Sequence, residues 1–113
     1  MIRAETSEEG EKIAKACMNG GIDIIEITFT VPGTHKVIEN LKKIFGKEEL
    51  ILGAGTVLDP ETARVAILSG AEYIVSPAFN LETAKLCNIY QIPCMPGCTT
   101  LKRLLQLWKP GQI

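Results

Sequence analysis

Residues Ile24 to Thr30 read I-I-E-I-T-F-T, a β-branched apolar run that contains one carboxylate, Glu26. The length and composition of this run predict a strand buried on both faces. Strands of that kind belong to parallel sheets covered by helices. The stretch therefore predicts an α/β fold.

Glu26 is the unusual residue of the predicted strand, because an anion in an apolar run costs several kcal/mol unless it is compensated. Side chains alternate along a strand, so Glu26 shares its face with Ile22, Ile24 and Thr28. Ile25 and Ile27 face the other way. In a barrel this face points inward, and active sites lie at the carboxyl ends of the strands. The alternative is a structural Glu paired with a Lys or with backbone N–H groups.

The rest of the chain shows alternating helix and strand signals. Strands are predicted at Ile22–Thr28, Leu50–Gly53, Tyr73–Val75 and Pro93–Met95, with a first stub at Ile2-Arg3. Helices between them begin at Ser7, after Thr34, at Asp59-Pro60, at Asn80, and at Thr99 or Thr100. A helix-to-strand pattern at 13–28 recurs at 62–77, as expected of a repeated βα unit.

The length limits this interpretation to part of a barrel. A (β/α)8 TIM barrel needs roughly 200 residues or more, whereas this chain has 113. We therefore expect about the first half of a barrel, strands 1 to 5, with parallel strands and crossover helices.

Composition excludes several classes of function. The net charge is −1 and the pI about 5.8, so no nucleic-acid partner is indicated. No apolar run reaches the roughly 20 residues that span a membrane, and no signal-peptide pattern is present, so we expect no membrane association and a cytoplasmic location. The four cysteines, among them Cys94 and Cys98 at C-x-x-x-C spacing, predict reduced thiols rather than a redox or zinc site.

Four motifs in register resemble the 2-keto-3-deoxy-6-phosphogluconate (KDPG) and 4-hydroxy-2-oxoglutarate (KHG) aldolases. They are I-E-I-T-F-T (25–30), G-A-G-T-V (53–57), V-S-P (75–77) and M-P-G (95–97). The resemblance implies a class I aldolase on a TIM barrel, a trimer without metal or other cofactor. In such enzymes a lysine amine forms a Schiff base with a keto acid, which is cleaved to pyruvate and glyceraldehyde 3-phosphate or glyoxylate.

The resemblance also implies roles for five residues. Glu26 is the general acid/base, Thr56 and Pro77 contact the pyruvate part of the substrate, and Arg3 pairs with its carboxylate. Some members carry Arg at the position of Thr30, so the part of Thr30 in substrate binding is open. Without the family pattern, the sequence favours the structural interpretation of all three residues: Thr56 as a turn cap, Pro77 as a strand terminator and Arg3 as a surface charge.

The family's Schiff-base lysine lies in a K-L-F-P motif that these 113 residues do not contain. Loss of one base from codons for P-E-E-I-V-A-A-M-E-A-G-A-D-I, a family-like helix, can produce the whole stretch 101–113. We therefore predict a partial aldolase barrel at 1–100 and an aberrant, frameshifted helical tail at 101–113. This chain is then expected to be inactive alone, and Lys109 is the first suspect should an adduct form.

Two other hypotheses stay open. The first is a non-catalytic half-barrel that self-associates or completes a barrel with a second chain, since an open parallel sheet leaves strand edges unpaired. The second is another pyruvate- or phosphate-handling barrel, such as a decarboxylase or isomerase. Those usually place Asp or Lys where this chain has Glu26.

Overall fold

The computed structural model describes residues 1–46 and 49–97, in which helices and strands alternate. The helices are α1 (Ser7–Asn19), α2 (Thr34–Ile44), α3 (Pro60–Ser69) and α4 (Leu81–Ile89). The strands are β1 (Ile24–Thr28), β2 (Ile51–Gly55), β3 (Tyr73–Ser76) and β4 (Cys94–Pro96). The helix predicted from Thr99 or Thr100 lies outside the described residues.

The strands form one parallel sheet in the order β1-β2-β3-β4. Ile2 adds a parallel bridge to Ile27 on the free side of β1, which is the first-strand stub predicted at Ile2-Arg3. Consecutive parallel strands joined by helices are the arrangement of a (β/α) barrel. The predicted α/β class and partial barrel are confirmed.

Polar side chains begin three of the helices. Asp59 accepts a hydrogen bond from the Thr62 N–H at 2.7 Å, and Asn80 accepts one from the Thr83 N–H at 3.0 Å, as predicted. The prediction for α1 is wrong by one residue, because Thr6 is the cap and accepts from the Glu9 N–H. Ser7 instead donates to the Pro32 carbonyl at 2.5 Å, which joins α1 to the turn after β1.

Two predicted strand boundaries are also corrected. Ile22 lies outside β1, because its N–H bonds to the Cys17 carbonyl in the turn that ends α1. Strand β2 continues to Gly55, two residues beyond the predicted end at Gly53. Glycine disfavours strands by itself, but here the ladder with β1 holds Gly53 opposite Glu26 and Gly55 opposite Thr28.

The core lies between the sheet and the helices. Apart from Pro96, the strand residues on this side are at most 5% exposed, and so are the apolar residues of α2 that cover them. They include Ile25, Ile27, Leu52, Ile74, Val37, Ile38 and Leu41. Burying side chains of this size stabilises the fold by about 1.5–3 kcal/mol each.

The opposite side of the sheet is called the inner face here, because it would point into a closed barrel. Ile24 is 59% exposed, Ile51 42% and Met95 48%. By alternation and register these residues share the face of Glu26. In the described part of the chain, Ile24 and Ile51 are therefore left largely uncovered.

Three cysteines lie in the described part of the chain, and all are free thiols. Cys87 of α4 and Cys94 of β4 are buried on the helix side of the sheet. A hydrogen bond between their thiols raises the pKa of Cys87 and lowers that of Cys94. Within the described ranges, no helix is both long enough and apolar enough to span a bilayer.

Candidate functional site

The carboxyl ends of the four strands meet at one edge of the sheet, where backbone hydrogen bonds join them. The Phe29 N–H donates to the Gly55 carbonyl at 2.9 Å, and the Gly97 N–H donates to the Ser76 carbonyl at 2.7 Å. This is the edge at which barrel enzymes build their sites. All five residues predicted to serve the site lie on it or just inside it.

Glu26 lies in the middle of β1 with its side chain on the inner face, and it is half-buried. Its carboxyl group fills the space beside Gly55, where an added Cβ would collide with it. The absence of a side chain at Gly55 therefore makes room for the Glu26 carboxylate. The predicted inward orientation of Glu26 agrees with this geometry.

Tyr73 is the residue that the sequence analysis missed. Its ring covers Gly53, at which an added Cβ would clash with three ring atoms. The register places Glu26, Gly53 and Tyr73 in one row across β1, β2 and β3. The two glycines of G-A-G could have indicated such a neighbour from the sequence, because alternate glycines in a strand leave room on one face for side chains such as that of Tyr73.

The electrostatics of the row connect its two polar members. Burial, and secondarily the charge of Glu26, raise the pKa of Tyr73 to about 12 from its ordinary 10.0. Tyr73 therefore stays a neutral phenol near pH 7, one that can donate a hydrogen bond into the site. The inner face thus offers a carboxylate on β1 and a phenol on β3, with Gly53 of β2 between them.

Arg3 and Thr30 lie beside Glu26 at the free side of β1. The Ile2–Ile27 bridge, continued by one residue, sets Arg3 next to Thr28, and the Arg3 side chain is exposed. The Thr30 hydroxyl lies 2.7 Å from the Thr28 hydroxyl, which also approaches the Ile2 carbonyl at 3.3 Å. A hydroxyl network therefore ties Thr30 to the strand that carries Glu26.

Thr56 and Pro77 follow the ends of β2 and β3. Thr56 has φ 54°, a left-handed conformation that costs a non-glycine residue about 1–3 kcal/mol and is concentrated at functional sites. Pro77 is exposed, and its carbonyl approaches Gly97 so closely that a side chain there would meet it. Arg3, Thr56 and Pro77 share the edge with Glu26 by position.

The described lysines lie on helices, away from the strand ends that carry the predicted site residues. The lysines at 12, 15, 36, 42, 43 and 85 all lie on helices. Lys42, for example, pairs with Glu72 and donates to the Leu50 carbonyl at 2.9 Å, near the amino ends of β2 and β3. Strands β1 to β4 therefore bring a carboxylate to the inner face but no lysine.

Comparison with known proteins agrees with the fold. The family model described as KDPG and KHG aldolase matches residues 1–110. The chain is 32% identical over 109 residues to the 2-dehydro-3-deoxy-phosphogluconate aldolase of Treponema pallidum, covering 94% of this chain and 51% of that protein. It is 32% identical over 107 residues to the KHG/KDPG aldolase of Escherichia coli, covering 93% and 48%.

A solved structure gives the same relationship. The KDPG aldolase of Legionella pneumophila, described with pyruvate captured as a covalent carbinolamine intermediate, superposes with a TM-score of 0.84 at 28% identity. The match covers 94% of this chain and 50% of that one. Fold and edge define a partial (β/α) barrel of the aldolase kind. The chain belongs to the KDPG/KHG aldolase family, and it spans about half the length of the relatives it matches.

Proposed function

We propose that this chain carries the acid/base side of a class I aldolase site that acts on KDPG or KHG. The observation that carries the proposal is the position of Glu26, whose half-buried carboxylate lies on the inner face in the space beside Gly55. A carboxylate held there faces the interior in which a keto acid would bind.

In this proposal Glu26 moves protons while another residue supplies the nucleophile. When an amine attacks the 2-keto carbon, Glu26 takes a proton from the amine and passes it to the carbinolamine hydroxyl, which leaves as water. The regenerated carboxylate then takes the proton of the C4 hydroxyl as the C3–C4 bond breaks. The phenol of Tyr73 lies in the same row, where it can donate to an oxygen of the substrate. Positioned acid/base groups contribute about 10²–10⁴-fold in rate.

Substrate contacts are proposed for the other residues of the edge. The Arg3 guanidinium is suited to a bidentate pair with the substrate carboxylate. Thr56 and Pro77 would form walls around the pyruvate part, and the Thr30 hydroxyl would bond to a substrate oxygen. Their shared position at the carboxyl edge supports this assignment.

We further propose that these 113 residues do not form a Schiff base by themselves. The lysines of the described chain lie on helices, and Lys102 and Lys109 lie outside a K-L-F-P motif. The nucleophilic lysine would then have to come from a strand beyond this stretch of sequence. Their positions on helices keep the described lysines off the strands that carry Glu26 and Tyr73.

Reductive trapping tests this proposal directly. The chain is incubated with pyruvate and sodium borohydride and its intact mass is measured, with the Escherichia coli KHG/KDPG aldolase as the positive control. We expect an adduct on the control and none on this chain. A pyruvyl adduct that maps to one lysine, Lys109 for example, would contradict the proposed inactivity.

A second candidate is a half-barrel that assembles with another chain. The exposed Ile24, Ile51 and Met95 of the inner face favour it, because a closed barrel would bury them. Mixing this chain with a polypeptide that carries the remaining strands of a relative, followed by light scattering, tests it. A stable complex with one copy of each chain supports assembly, and two separate species argue against it.

A further inference from the structure

The inner face carries the largest side chains that the sheet leaves uncovered. Ile24 and Ile51 are opposite each other at the amino ends of β1 and β2, and Met95 is the middle residue of β4. They are 59%, 42% and 48% exposed, respectively. Beside them, the Tyr73 ring covers Gly53 and the Glu26 carboxyl group fills the space beside Gly55. An apolar surface of this kind is stabilised when another segment covers it.

One candidate to cover it is already attached to the sheet. Gly97 donates its N–H to the Ser76 carbonyl, so the chain leaves β4 at the carboxyl edge, two residues after Met95. Sixteen residues, 98–113, follow and lie outside the described residues. Ile24 lies three strand spacings from β4, about 14 Å, and four residues, about 13 Å, nearer the amino ends than Met95, so about 19 Å separates the two residues. Nine residues in a helix would span about 14 Å, and a three-residue connection adds up to about 10 Å.

The sequence of that stretch matches the surface in pattern and in charge. Leu101, Leu104, Leu105 and Trp108 follow the i, i+3, i+4, i+7 spacing of an apolar helix stripe. The three charges of 98–113, those of Lys102, Arg103 and Lys109, are all positive. Among the strand residues of the inner face the one charge is that of Glu26.

We propose that residues 101–109 pack on the inner face of the same chain. The apolar stripe would contact Ile24, Ile51 and Met95, and Lys102 or Lys109 at its rim would pair with Glu26. This docking covers the face on which the keto acid is proposed to bind, and it does not depend on that proposal. A second copy of the chain and the helix side of the sheet are the competing contacts.

Trp108 is the one tryptophan of the chain, so its fluorescence reports the docking without a label. Acrylamide quenching is measured on the full chain and on two variants, Ile24→Asp on the inner face and Leu68→Asp on α3. Leu68 is 67% exposed and serves as the matched control. We expect a blue-shifted, shielded tryptophan in the unmodified chain and in Leu68→Asp, and a several-fold larger quenching constant in Ile24→Asp.

Carbodiimide cross-linking gives a second measurement that does not depend on how Ile24→Asp folds. A zero-length link from Glu26 to Lys102 or Lys109, lost in Glu26→Gln, supports the proposal. Three results would overturn it: a fully quenchable Trp108 in the unmodified chain, a loss of shielding in Leu68→Asp alone, or shielding that appears only as the protein dimerises with rising concentration.

Discussion

Replacing Gly53 or Gly55 by alanine tests whether these glycines are needed to accommodate the neighbouring side chains, Tyr73 at Gly53 and Glu26 at Gly55. Neither Gly53 nor Gly55 has a positive φ, so alanine causes no backbone strain and reduces the entropy of the unfolded chain by about 0.4–1 kcal/mol. At Gly55 the new methyl group meets the flexible end of Glu26, which can rotate toward solvent. At Gly53 it meets the rigid ring of Tyr73.

The two substitutions therefore differ in cost. Moving Glu26 costs about 0.5–1.5 kcal/mol, which the entropy gain of about 0.4–1 kcal/mol largely offsets, so Gly55→Ala leaves the free energy of unfolding nearly unchanged. Overpacking against a ring costs about 1–3 kcal/mol, so Gly53→Ala is destabilising by about 1.3 kcal/mol at the middle of both ranges after the same offset.

Urea denaturation followed by circular dichroism measures both variants. Gly55→Ala also displaces the Glu26 carboxylate, so the pKa of Tyr73 should fall in that variant. Equal destabilisation by the two substitutions, or an unchanged Tyr73 pKa in Gly55→Ala, would refute this account of the row.

Three further predictions concern the site and its support. Glu26→Gln lowers the Tyr73 pKa below 12 but leaves it above 10.0, because burial is the larger cause of the shift; ultraviolet titration against a Tyr73→Phe control measures this. Hydrogen bonds at the start of α3 lower the pKa of Asp59, so its stabilising contribution is present above the unfolded pKa and is lost as the pH falls through the folded one. The free energy of unfolding of Asp59→Asn, measured by urea denaturation at several pH values, should therefore fall less steeply at acidic pH than that of the unmodified chain. Ile27→Ala, at a side chain with no exposure, costs about 2–5 kcal/mol, whereas Leu68→Ala, at a side chain of α3 that is 67% exposed, stays within about 0.5 kcal/mol in the same urea experiment.

The sequence was sufficient for features that depend on local pattern. Alternation in I-I-E-I-T put Ile25 and Ile27 in the core and Glu26 on the other face, and the structure agrees. Asp59 and Asn80 were predicted as helix caps because capping requires a short polar side chain directly before the helix. These outcomes require no knowledge of which strands are neighbours.

Features that depend on pairing between strands were missed. The extension of β2 to Gly55 comes from its ladder with β1, against the weak strand preference of glycine. Tyr73 joins Glu26 only through the register of three strands. At α1 two adjacent hydroxyls could cap the helix, and the contact of Ser7 with Pro32, 25 residues away, leaves the cap to Thr6.

The central claim is that Glu26 is the acid/base residue of an aldolase site whose lysine lies beyond this chain. The most direct test joins residues 1–100 to the second half of the Treponema pallidum relative and measures borohydride-trapped pyruvate adduct against time, for the chimaera with Glu26 and for its Glu26→Gln variant. We predict an adduct on the supplied lysine, formed about 10²–10⁴-fold more slowly in the variant. Equal rates for the chimaera and its Glu26→Gln variant, or no adduct on a folded chimaera, would contradict the claim.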